Sequence, residues 1–235
     1  MVYAEFSTEK AHYVFQANNH SSKNTQNVFE GIDALVIETG YTTLSQIVTE
    51  YHPQMAMPVD HCKKNHIPVF GADVQPTKYG DRRDDLSEVL RYFVTFPVLL
   101  IAEIAVGLHY GFSKKKVDGG LSKVYSDYLF VLQEPVVEGR NAINARKIEE
   151  FIAPMVAEAS GKKKPKIGLV YGAGHLGLRY DIQSKRRRDF TIWNWRNLNI
   201  KKYAGFGREE LGKVHEARHH GNLWQFKEYE TRLFN

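Results

Sequence analysis

Four short, continuous apolar runs constrain this chain more than any other feature. They are "HYVFQA" (12–17), "DALVIET" (33–39), "IPVFGAD" (67–73) and "KIGLVYG" (166–172). Continuous apolar character, without alternation, marks strands buried on both faces, as in a parallel sheet. Helical patterns separate the first three. "SKNTQNVFEGI" supplies a short crossover, "LSQIVTEYH" places Leu44, Ile47 and Val48 on one side, and a further helical stretch comes after Pro58. This β-α-β-α-β order implies an α/β fold. Its central sheet is expected to be mainly parallel, flanked by helices, with right-handed crossovers.

The remaining segments fit around those strands. Residues 84–112 read as helical and 124–132 as helix or strand, so 84–132 is expected as a helical insertion or lid. "RNAINARKIEEFIAPMVAEASG" (140–161) is the clearest helix, with Ile148, Phe151, Ile152 and Met155 as its apolar stripe and Gly161 as its stop. "DFTIWNWRNLNI" onward reads as one or two strands and a polar tail. The expected organisation is a single domain over 1–235, with 185–235 as a basic C-terminal extension.

Composition narrows the class. The chain has 235 residues, 43% hydrophobic and 25% charged, as in ordinary globular proteins. The single cysteine, Cys62, excludes an internal disulfide framework and a multi-cysteine metal site, and is expected in the core. The start, "MVYAEFSTEK", lacks the apolar region of a signal peptide, which points to the cytoplasm. The longest apolar stretch, Phe93–Phe112, contains Pro97, Glu103 and His109, so a buried helix is expected rather than a membrane span. The net charge is +5, with basic runs at 114–116, 162–166 and 185–188. They read as solvated loop charge, the second and third runs flanking a strand.

Residues 172–177, Gly172-Ala173-Gly174-His175-Leu176-Gly177, fit the dinucleotide fingerprint G-x-G-x-x-G. That motif must open a helix and precede an acidic residue at the end of the next strand. After Gly177 the chain runs "LRYDIQSKRRRDF", with no helical apolar stripe and arginines in the expected region. The loop therefore reads as a strand end that presents a histidine.

The other strand ends agree. The first runs out at His20, the second at Glu38, the third at Asp73 and the fourth at His175. Carboxyl ends of parallel strands share one edge, where ligands bind. Four side chains able to bind metal or exchange protons thus converge there.

"FEGIDALVIETG", "IPVFGADVQPT", "EGRNAINARKIEEFIAPM" and "IGLVYGAGHLGL", in this order, resemble the TraB/PrgY–Tiki family, within a wider group that includes ChaN-like and erythromycin-esterase-like proteins. The resemblance spans about residues 12–180. Its pattern has a G-x-x-H after the first strand, a glutamate ending the second, an aspartate after the third, an E-R-D helix start and a second G-x-x-H. Here the first motif reads Ala17-Asn18-Asn19-His20 and the helix start Glu138-Gly139-Arg140-Asn141. The resemblance implies an α/β fold with a metal-dependent hydrolase or peptidase site. The family's pheromone-shutdown proteins and haem-binding lipoproteins show that the fold alone does not fix activity.

The chemistry stands on the residues as well. Two histidines and a carboxylate can hold a divalent ion such as Mn, Co or Zn and leave a position open for water. His20, Glu38 and His175 are the candidate ligands, with Asp73 as a fourth ligand or supporting partner. A metal-free site, with histidine as general base and a carboxylate orienting it, uses the same residues. Arg140 opens the clearest helix and either binds a substrate carboxylate or developing oxyanion, or holds Glu38 by a bidentate pair. Asn19, Asn141, Gly172 and Gly174 are candidate substrate-binding positions.

Other histidines and aromatics read as bland. His61 and His66 flank Cys62 on a helical surface, and "HEARHH", with His215, His219 and His220, reads as a solvated helix. Trp193 and Trp195 alternate on an expected strand with aromatic packing. The leading reading is a hydrolase acting on a peptide or small amide or ester. The runner-up is a non-catalytic protein that binds a peptide or haem on the same fold. Nucleic-acid binding through the basic runs comes third, a membrane partner is not expected, and homo-oligomerisation is open.

Overall fold

The computed structural model describes residues 2–18, 28–39, 43–50, 55–73, 135–172, 175–197 and 211–234. Its seven strands are β1 (Val2–Ser7), β2 (His12–Asn18), β3 (Ala34–Ile37), β4 (Val69–Gly71), β5 (Lys166–Gly172), β6 (Lys213–His220) and β7 (Leu223–Glu230). They form one sheet in the order β1-β2-β5-β3-β4-β6-β7. The four apolar runs are its centre. β2, β5, β3 and β4 pair in parallel, with Gln16 opposite Val170, and Ile37 opposite both Val170 and Gly71.

The flanks are antiparallel: β1 on β2, β6 on β4, and β7 on β6. The sheet is therefore mixed rather than mainly parallel. Two parts of the sequence account for the difference. β1, "VYAEFS", alternates exposed and half-buried residues as an edge strand does, and the expected C-terminal extension supplies β6 and β7 instead.

Helices cover both faces. α1 (Leu44–Thr49) starts on a capping box: Thr43 accepts from the Gln46 amide while the Gln46 side chain accepts from the Thr43 amide. Leu44, Ile47 and Val48 of α1, with Val59 and Cys62 of α2 (Ala56–Asn65), pack on Val14, Leu35, Ile37 and Val170. On the other face lie α3 (Pro135–Lys147), a π-helical turn (Ile148–Ile152), α4 (Ala153–Ser160) and α5 (Gly177–Gln183). There Ile148, Ile152, Val156, Leu178 and Ile182 meet Tyr13, Phe15, Val36, Leu169 and Tyr171. Alternate residues of each central strand thus serve opposite cores, which explains the continuous apolar runs.

The long helix expected over 140–161 is present but interrupted. Pro154 has no N–H to donate and its ring crowds the carbonyl one turn back, so the π turn just before it takes up the extra residue. Ile148 and Ile152 are buried, as is Glu149, whereas Phe151 and Met155 are half-buried. Gly161 ends α4 at φ 67°.

Several expectations need correction. "DFTIWNWRN" is not a strand but most of α6 (Lys185–Asn197), so Trp193 stands on a helix. The polar Lys-Arg-Arg-Arg start had masked its one-sided burial at Arg188 and Ile192. "HEARHH" is not helical but lies in β6, where cross-strand pairing overrides propensity and His219 is buried. A helix, α5, does begin at Gly177, because Leu178 and Ile182 form a short apolar face. The run 185–188 is not wholly solvated, since Arg188 is buried and pairs with Glu150 at 2.9 Å. His61 and His66 belong to α2 and its left-handed end, and Cys62 is buried as expected. The expected lid at 84–132, with Phe93–Phe112, and the run 114–116 lie outside the described residues. No helix among the described residues is long and apolar enough to cross a membrane.

Candidate active site

β3 and β5 are neighbours, yet the helices after them go to opposite faces: α1 joins the core beneath Leu35, and α5 the core beneath Leu169. The crevice between their carboxyl ends is a topological switch point, the usual ligand position in an open α/β sheet. Glu38 comes directly after β3 there, His175 after β5, and Asp73 after β4 next door.

Glu38 sits at the middle of the crevice. Its Oε2 accepts the Gly172 amide at 2.6 Å, and its Oε1 is 3.0 Å from His175 Nε2. His175 is fixed at the other ring nitrogen, where Nδ1 lies 2.6 Å from Asn141 Oδ1, and its ring packs on Tyr171 at 5.4 Å. The side chains of His175 and Glu38 are only 5% and 8% exposed, so their contact is little screened by solvent.

α3 is the clamp that assembles the rest. Arg140, Asn144 and Lys147 fall on one helical face at i, i+4 and i+7. Arg140 grips Asp73 with Nε to Oδ1 at 3.3 Å and Nη2 to Oδ2, and the same Nη2 lies 3.7 Å from Glu38 Oε1. Asn144 donates to Asp73 Oδ1 at 2.8 Å, and the buried Lys147 donates to the Ala72 carbonyl at 3.0 Å. One guanidinium thus serves two buried carboxylates.

These contacts set the proton affinities. Burial pushes both acids up, but their partners outweigh it. Asp73 is brought down to about 2, chiefly by the charges of Arg140 and His175. Glu38 is held below the ordinary carboxylate value by the charge and hydrogen bond of His175, with help from the Gly172 amide. Both are anions at neutral pH.

Glu38, Asp73 and His175 therefore meet, with donor atoms all within 4.8 Å of one another. His20, Asn19 and Gly174 lie outside the described residues. Three roles change. Arg140 lies inside α3 rather than opening a helix, and its bidentate partner is Asp73, not Glu38. Asn141 holds His175, and the Gly172 amide is taken by Glu38, so neither is set out for substrate. That same bond takes up an amide of the loop, and the next described strand, β6, joins the sheet antiparallel, so among the described residues no β-α-β unit completes the fingerprint. Asn144 and Lys147 were missed. Their signal was the i, i+4, i+7 polar stripe from Arg140, beside the apolar one.

The donor set suits a divalent ion. Two ligands about 2.1 Å from one ion and roughly at right angles lie about 3 Å apart, which matches the Glu38–His175 separation. Asp73, engaged by Arg140 and Asn144, fits a supporting role. Asn144 Oδ1 is a buried acceptor without a hydrogen-bond partner among the described residues, on the side chain that holds Asp73.

No family model matches the chain, and neither a curated protein nor a solved structure matches it.

Proposed function

We propose that the chain is a metal-dependent hydrolase of peptidase or esterase type, as its resemblance to the TraB/PrgY–Tiki family implies, working in the cytoplasm on a peptide or small amide or ester. The observation that carries this reading is the meeting of Glu38, Asp73 and His175, from three strand ends, at the switch point. Glu38 and His175 would hold the ion, Mn, Co or Zn, with Asp73 beside them. When bound, the ion supplies a water of lowered pKa and polarises a carbonyl.

The chain's own residues do the rest. Asn141 fixes the His175 ring so that Nε2 faces Glu38. Arg140 keeps Asp73 ionised and lies against both carboxylates. The near-complete burial of the pair keeps bulk water from competing for the same donors.

A metal-free reading is favoured by one specific distance, the direct 3.0 Å contact of His175 with Glu38. There Glu38 and His175 act as the proton-exchanging pair, and Asn141 on Nδ1 orients the ring. The experiment is calorimetric titration of chelator-treated protein with Mn, Co and Zn, then hydrolysis assays on amide and ester panels. Binding with activity supports the metal-dependent reading. Activity without binding supports the dyad. Binding without hydrolysis supports a non-catalytic ligand-binding protein.

A further inference from the structure

α6 has two unlike faces. Inward, Arg188 and Ile192 are 3% and 4% exposed, and Arg188 pairs with Glu150 and donates to the Asp181 carbonyl. Outward, Arg186, Phe190 and Trp193 succeed one another at i, i+4 and i+7, a single stripe. Phe190 and Trp193 are each 61% exposed, although surface helices normally turn such rings inward. Their rings stand 6.3 Å apart with planes only 22° from parallel. Arg186 heads the stripe and Lys185 precedes it at the helix start; both are exposed and have no ion pair among the described residues, whereas Arg187 is paired with Asp181. Beside them Tyr180 is 37% exposed, with the guanidinium carbons of Arg179 and Arg187 at 5.2 and 5.6 Å from its ring centroid.

We propose that this outward face of α6 binds single-stranded nucleic acid, with Phe190 and Trp193 stacking bases and Lys185 and Arg186 contacting phosphates. Such ligands need flat aromatic surfaces for unpaired bases alongside unneutralised cations for the backbone, and the stripe offers both in sequence. A duplex would hide its base faces from the rings. An anionic bilayer is the poorer occupant. An interfacial helix needs a broad apolar face, whereas α6 turns Ile192 inward and, among its described side chains, exposes two rings in a narrow stripe. The net charge of +5 favours the encounter. The inference is independent of the hydrolase reading, because none of these residues belongs to the Glu38–His175 cluster.

The test is fluorescence anisotropy of labelled twelve-nucleotide dT and rU strands with the full chain, over 50–200 mM salt. Two phosphate contacts predict a log–log salt slope of about −1.4. Phe190→Ala and Trp193→Ala should each weaken binding roughly tenfold or more, while Trp193→Tyr keeps most of the affinity. Lys185→Glu with Arg186→Glu should abolish binding at the higher salt. Thermal unfolding of each variant should match the parent, since the altered groups face solvent. The proposal fails if no strand binds, or if binding and slope are unchanged when either ring is removed. It also fails if duplex competes equally. Wild-type binding to vesicles of phosphatidylserine and phosphatidylcholine that is lost in Trp193→Ala, with no oligonucleotide binding, would assign the face to membranes. A concentration-dependent dimer lost in the same variant, again without oligonucleotide binding, would assign it to a second copy.

Discussion

His175 is held between two oxygen acceptors, Asn141 Oδ1 at 2.6 Å and Glu38 Oε1 at 3.0 Å. A neutral imidazole carries one proton and cannot donate to both. The arrangement is satisfied by an imidazolium, by a cation between Nε2 and Glu38 with the proton on Nδ1, or by the Asn141 amide turned so that its NH2 donates to Nδ1. Asn141 is thereby a positioning residue. Asn141→Ala should weaken metal affinity about 10- to 100-fold, measured by competition with a chromophoric chelator. Unchanged affinity would mean that Asn141 only fills space.

Arg140 is the structural counterweight to two buried carboxylates. Arg140→Leu takes from Asp73 its bidentate guanidinium and from Glu38 the same cation 3.7 Å away. The expected loss of stability is about 3–5 kcal/mol, read from urea unfolding at neutral pH. Arg140→Lys should recover only part of it, because one ammonium cannot reproduce the two contacts to Asp73. Full recovery by lysine would show that charge alone matters.

Asp73 sets one acid window. Its folded-state pKa is about 2, below the ordinary 3.8, so the native state favours the carboxylate. The resulting stability is complete above about pH 4 and is lost as pH falls toward 2. The window is worth about 2 kcal/mol, and Asp73→Asn should remove that slope from unfolding curves taken between pH 2 and 5. His219 adds a second window at higher pH. It is buried, its ring nitrogens have no hydrogen-bond partner among the described residues, and burial, then Lys63, His66 and His220, hold its pKa below the usual histidine value. Its contribution is intact above about pH 6.5 and falls as pH drops through the lowered value, so His219→Phe should flatten that step.

Gly168 on β5 marks a close approach rather than a turn. A Cβ there would meet the Phe29 ring at 2.7 Å and Leu35 at 3.0 Å. Gly168→Val should destabilise by about 1–3 kcal/mol or more in thermal unfolding. An unchanged melting temperature would show that Phe29 yields freely.

The centre of the fold was legible because β2, β3, β4 and β5 are buried on both faces, and such strands announce themselves as unbroken apolar runs. Their carboxyl ends carried Glu38, Asp73 and His175 into the same place, since parallel neighbours share an edge. What escaped was set by tertiary pairing. β1 and β7 are edge strands whose exposed residues hide the strand signal, and β6 alternates charges and histidines that pair across the hairpin. The partners of Arg140 and Asn141 could not be assigned from spacing, because spacing places residues on one helix face without saying which strand end that face meets. The Trp193 helix was misread because alternation over a few aromatic residues fits either period.

The most direct measurement is metal binding by His175→Ala, compared with the parent by calorimetry alongside thermal unfolding. His175 lies just past β5 at the crevice, bonded to side chains of Asn141 and Glu38 rather than holding a strand in register. The variant should remain folded, with metal affinity reduced at least a hundredfold and hydrolysis reduced with it. A folded variant that binds Mn, Co and Zn as tightly as the parent would contradict the metal centre at Glu38 and His175.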